Sequence, residues 1–80
     1  MLTAGQLRAA RGLLNWSQTE LAEAADLSLP TIKRMEGPLG PGKSSAENVD
    51  AVRRALEAAG VEFIPGNGGG PGVRLGVDKR

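Results

Sequence analysis

Eighty residues with a net charge of +1 make one small domain, too short to bury a large core by itself. The chain has no cysteine and no histidine, which excludes disulfides, thiolate metal sites and ordinary zinc sites. No apolar run approaches the ~18 residues needed to span a membrane. Self-association is the remaining source of extra burial.

The N-terminal stretch Met1-Leu2-Thr3-Ala4-Gly5 has no basic region followed by an apolar core. No secretion signal is expected, and the cytoplasm is the expected compartment. Three capping boxes then mark helix starts: Thr3-x-x-Gln6, Ser17-x-x-Glu20 and Ser44-x-x-Glu47. Hydrophobic staples pair Leu2 with Leu7, Trp16 with Leu21, and Leu27 with Ile32 around Ser28, a cap without a glutamate.

Four helices follow from this punctuation. The first spans about Ala4 to Leu14, with Leu7, Ala10 and Leu14 on one face and Asn15 as a left-handed end. The second spans about Gln18 to Ala25 and buries Leu21, Ala22 and Ala25. The third spans about Leu29 to Glu36, buries Ile32 and Met35, and is stopped by Gly37-Pro38. Pro30 fits its first turn, where amide groups lack helical partners anyway. A loop from Gly37 to Lys43 leads to a fourth helix over Ser45 to Ala59, with Val49, Val52, Leu56 and Ala59 inward and Gly60 as its cap.

Beyond Gly60 the pattern changes. Val61-Glu62-Phe63-Ile64 reads as a strand, Pro65 to Gly72 as a loop, and Val73-Arg74-Leu75-Gly76-Val77 as a second strand. The loop stretch "GNGGGPG" lacks the Lys-Ser/Thr of a phosphate loop. With no histidine, no cysteine and no paired carboxylates in a visible pocket, an enzyme is not expected, and neither catalytic residues nor a cofactor are assigned.

Only Asp26-Leu27-Ser28 separates the second helix from the third. A short corner between short helices is the helix-turn-helix arrangement, whose second helix enters the DNA major groove. The stretch "WSQTELAEAADLSLPTIKRMEG" closely resembles the Cro/repressor-type (XRE-like) helix-turn-helix family. The family pattern falls on Ser17-Gln18, Leu21-Ala22, Ser28, Thr31-Ile32 and Glu36-Gly37, and "LRAARGLLNWSQ" resembles the family's first helix. Two positions depart from it: Asp26 stands where glycine is usual, and Leu29-Pro30 stands where polar base readers are common.

The resemblance, covering about residues 2–59, implies a mainly α, four-helix, lambda-repressor-like domain over 1–60, and the strand pattern adds a β tail over 61–80. It implies a sequence-specific DNA-binding transcription regulator, expected to be a homodimeric repressor. Base reading falls to Ser28, Leu29, Pro30, Lys33 and Arg34, with Leu29-Pro30 set against thymine methyls and Arg34 against guanine or phosphate. Phosphate contacts fall to Gln18 and Thr31, and to Lys43, Ser44 and Ser45 at the start of the fourth helix. Arg11 and Glu36 are implied as a structural ion pair. The tail is expected to dimerise through Phe63, Ile64, Val73, Leu75 and Val77, because an isolated hairpin is marginal and its edges need cover. A twofold dimer would match a near-palindromic operator. The rival reading makes the tail a binding edge for a different protein, such as a toxin partnered by an antitoxin.

Overall fold

Residues 2–66 and 68–76 are described by the computed structural model, with the backbone only at Lys43. The elements in order are α1 (Ala4–Leu14), α2 (Gln18–Ala25), α3 (Leu29–Met35), a 3-10 turn (Gly40–Lys43), α4 (Ala46–Ala58), β1 (Val61–Ile64) and β2 (Gly72–Leu75). The molecule is therefore mainly helical, with a short antiparallel hairpin after the last helix. None of the described helices is long and apolar enough to cross a membrane.

One three-residue corner is used twice. Asn15 ends α1 at φ 60° and Asp26 ends α2 at φ 58°, both left-handed. In each case the next residue closes the helix end: the amide of Trp16 donates to Arg11 O, and that of Leu27 to Ala22 O, both at 2.9 Å. This six-to-one bond satisfies a carbonyl that the helix end would otherwise leave open. The same apolar residue then packs against the core, and the residue after it, Ser17 or Ser28, caps the next helix. Three consecutive residues thus stop one helix, anchor the corner and start another.

The three staples all lead inward. Leu2, Leu7, Leu21 and Ile32 are buried, and Trp16 and Leu27 lie against them. Met35, Val52 and Leu56 complete the centre, with Val49 and Ala55 at its margin. Each fully buried large side chain stabilises the fold by about 2 kcal/mol relative to exposure.

Two capping boxes are present, at Thr3/Gln6 and Ser17/Glu20. The one expected at Ser44 is not. The 3-10 turn runs through Lys43, and the Ser44 amide is spent on Pro41 O at 2.9 Å. The helix starts one residue later, and Ser45 caps it by accepting from the Asn48 amide at 3.1 Å. At its other end Ala59 is the cap residue, and Gly60 follows at φ 106°, which lets the chain turn into β1.

The hairpin folds back onto its own helices. Val61 pairs with Leu75, Glu62 with Arg74, Phe63 with Val73 and Ile64 with Gly72. Opposed residues share a face, so Val61, Phe63 and Val73 point at the helices; Val61 is 2% exposed and the other two pack on the core. The strand ends at Leu75, short of the expected Val77, which lies outside the described residues. A buried glutamine fixes the hairpin on α1. Gln6 closes the α1 capping box through its Oε1, and its Nε2 donates to Gly72 O at 3.0 Å and Ile64 O at 3.5 Å.

Candidate nucleic-acid interface

The outer face of α3 carries two exposed cations, Lys33 and Arg34. Ser28 caps α3: its Oγ accepts from the Thr31 amide at 3.3 Å and lies 2.8 Å from Thr31 Oγ1. Ile32 and Met35 are fully buried, and helical spacing then turns Pro30, Lys33 and Arg34 outward, where all three are exposed. Lys33 and Arg34 have neither a carboxylate nor a hydrogen-bond partner among the described residues. Three other arginines are engaged: Arg53 and Arg54 pair with Asp50 at 3.3 and 2.8 Å, and Arg74 with Glu62 at 2.8 Å.

The apolar tip of α3 differs from expectation. Leu29 is half-buried rather than exposed. It lies three residues before Ile32, so it sits at the border of the buried stripe. The apolar surface offered at the tip belongs mainly to Pro30.

Behind α3 lies a polar knot centred on Glu36, a buried residue. Its carboxylate accepts from Arg11 Nε at 2.7 Å and from the second guanidinium nitrogen Nη2 at 2.8 Å. A third donor, Gln18 Nε2, reaches Glu36 Oε1 at 3.0 Å. Arg11 also donates to Trp16 O at 3.1 Å, and Arg8 donates to Glu36 O at 2.7 Å. The hydrogen bonds to Glu36 raise the Arg11 pKa above its ordinary value; burial opposes them and the charge of Glu36 adds to them. The knot joins α1, the first corner, the start of α2 and the end of α3.

Gln18 is thus held by Glu36 rather than pointing freely from its helix, which leaves its second amide hydrogen and its carbonyl oxygen for another partner. Thr31 is half-buried beside the α3 cap, and Ser44 and Ser45 sit at the entry to α4. The Lys43 side chain lies outside the described residues. At the hairpin, Phe63 and Val73 are turned toward their own core, Ile64 is half-buried, and Leu75 is 51% exposed. Two structural roles escaped sequence reading: that of Arg8, which donates to Glu36 O, and the second role of Gln6, whose hairpin partners are 58 and 66 residues away.

Two short helices set by a three-residue corner, the second with a cationic outer face, define a helix-turn-helix of the DNA-binding kind. Residues 7–36 match the helix-turn-helix family model. This segment is similar to helix-turn-helix segments of the Cro/repressor type, which supports a DNA-binding regulator in general terms. No curated protein matches the chain.

Proposed function

We propose that the protein is a sequence-specific transcription repressor that places α3 in the major groove and binds DNA as a homodimer. The observation that carries this reading is the exposed, unpaired pair Lys33 and Arg34 on α3, within the matched segment. Arg34 reads a guanine or a phosphate, and the Ser28–Pro30 tip faces neighbouring bases, with Pro30 supplying the apolar contact to a thymine methyl. Gln18, Thr31, Lys43, Ser44 and Ser45 serve the backbone. Arg34→Ala is expected to reduce specific binding about tenfold or more while leaving non-specific binding nearly unchanged. Equal losses on both would restrict Arg34 to phosphate. A protein with no salt-dependent DNA binding would sink the reading.

The homodimer rests on the open edge of β2. Gly76 N donates to Gly60 O at 2.6 Å, and antiparallel hydrogen bonding alternates every second residue. Glu62/Arg74 and Ile64/Gly72 therefore exchange bonds inside the hairpin, and the amides of Val73 and Leu75 point outward. They have no partner among the described residues. Pairing this edge with its twofold mate would cover Leu75 and set two α3 helices against a near-palindromic operator about one DNA turn apart. Light scattering tests it: a mass of twice the chain supports the dimer, and a single-chain mass at micromolar concentration removes it. The same edge also accepts a strand from a different protein, so a single-chain mass together with co-purification of a toxin-like neighbour gene product would favour the antitoxin reading.

A further inference from the structure

The free edge of β2 has a fixed phase. Gly76 N donates to Gly60 O at 2.6 Å, so the outward main-chain groups of the strand are those of Val73 and Leu75. Pro71 stands at the next such position toward the loop and has no N–H to donate. The same alternation sorts the side chains. Val73 and Leu75 share the face of Val61 and Phe63. Arg74 lies on the other face, with its Nε 2.8 Å from Oε1 of its cross-strand partner Glu62.

When two identical strands pair antiparallel about a twofold axis, one residue faces its own copy. The phase of this edge allows that residue to be Val73, Arg74 or Leu75. An axis at Val73 sets Leu75 against the partner's Pro71, and the ladder loses the bonds of the missing N–H. An axis at Leu75 takes only Leu75 from the described strand into the ladder. An axis at Arg74 sets Val73 against the partner's Leu75, and every outward amide of both strands finds a carbonyl. The apolar face then crosses all the strands of the pair as Phe63, Val73, the partner's Leu75 and the partner's Val61. Leu75, 51% exposed in the single chain, gains a valine on each side. The opposing term is electrostatic. Arg74 faces the partner's Arg74 in a non-hydrogen-bonded pair, with Cα atoms about 4.5 Å apart, where like charges repel. Each guanidinium is, however, already drawn away from the axis by Glu62.

We propose that two copies of the chain pair along β2 with the twofold axis at Arg74, and that Glu62 makes this register tolerable by holding the two opposed guanidiniums apart. The proposal rests on the homodimer reading above and adds its register. It gives Glu62, on the strand away from the partner, a part in dimer strength without any contact across the interface.

The chain has no cysteine, so a single introduced thiol reports one distance. A residue that faces its copy lies within the roughly 4.4–6.8 Å Cα span of a disulfide, whereas residues diagonal across the axis are about 7–8 Å apart. In the full chain under mild oxidation, Arg74→Cys is expected to cross-link on non-reducing gels far faster than Val73→Cys or Leu75→Cys. Glu23→Cys, exposed on α2, sets the collisional rate. Glu62→Gln is expected to weaken the dimer roughly fivefold at low salt, read by light scattering on dilution, and by less as salt screens the arginines. An unchanged helical circular-dichroism spectrum shows that each variant is folded. Fastest cross-linking at Val73→Cys or Leu75→Cys would overturn the register and leave the homodimer standing, and full dimer strength in Glu62→Gln would overturn the role of Glu62. No cross-link above the collisional rate, with a wild-type mass of twice the chain, would overturn the β2 edge as the interface. A single-chain mass for the wild type would overturn both the register and the homodimer.

Discussion

The two corners of the helical body share a backbone and differ in their chemistry. Asn15-Trp16-Ser17 and Asp26-Leu27-Ser28 have the same left-handed stop, the same six-to-one bond and the same serine cap. After the first corner, Glu20 returns to the Ser17 amide at 2.7 Å and completes a capping box. After the second, that position holds Thr31, whose hydroxyl meets the Ser28 hydroxyl. The first corner is also braced by Arg11 on the Trp16 carbonyl. A carboxylate at position 31 would improve the helix start, yet it would stand on the first turn of the helix proposed to enter DNA, facing phosphates. The second corner keeps its serine cap but lacks the reciprocal carboxylate, on the turn proposed to face phosphates, and the first has both.

Five substitutions break or sharpen that contrast. Arg11→Met strips the brace from the first corner and leaves the Glu36 carboxylate buried with one neutral donor. A loss of about 3 kcal/mol is expected in denaturant unfolding, since removing one member of a buried pair strands the other charge. Next in size, Thr31→Glu makes the second corner like the first. Stability should rise by about 0.5 kcal/mol while DNA affinity falls about tenfold or more; retained binding in an anisotropy titration would mean that α3 does not approach phosphate at this turn. The reverse exchange, Glu20→Thr, should cost about 0.7 kcal/mol in melting experiments with DNA affinity little changed. Asn15→Gly and Asp26→Gly should have the smallest effects, each raising stability by about 0.5 kcal/mol, because relief of the left-handed strain is partly offset by chain entropy.

The corners were legible in the sequence because everything that forms them is local. A cap and its acceptor are three residues apart, a staple five, and a left-handed stop is announced by Asn or Asp. Leu29 was misjudged for want of weighing its spacing to Ile32. Ser44 and Ser45 offered two equally good caps, and only the 3-10 turn over Gly40–Lys43 decided between them. The hairpin was legible as strands but not in its packing. The donor that anchors it, Gln6, looked complete as a member of a capping box, and nothing near it in the sequence signals the carbonyls of Ile64 and Gly72. At the proposed DNA face, residue types were readable; which cations stand unpaired, and that Gln18 is tethered to Glu36, required the fold.

The burial of Val61 has a consequence for the order in which the chain is made. The helix-turn-helix is complete in sequence by Gly37, yet the core it rests on is closed by Val61, with Phe63 and Val73 laid against it. A chain emerging from the ribosome holds α3 well before it holds the hairpin side chains that complete the core. Fragments that stop after α4 would lack Val61, Phe63 and Val73, the hairpin's part of the core. The helical core is therefore complete only once the hairpin has been made.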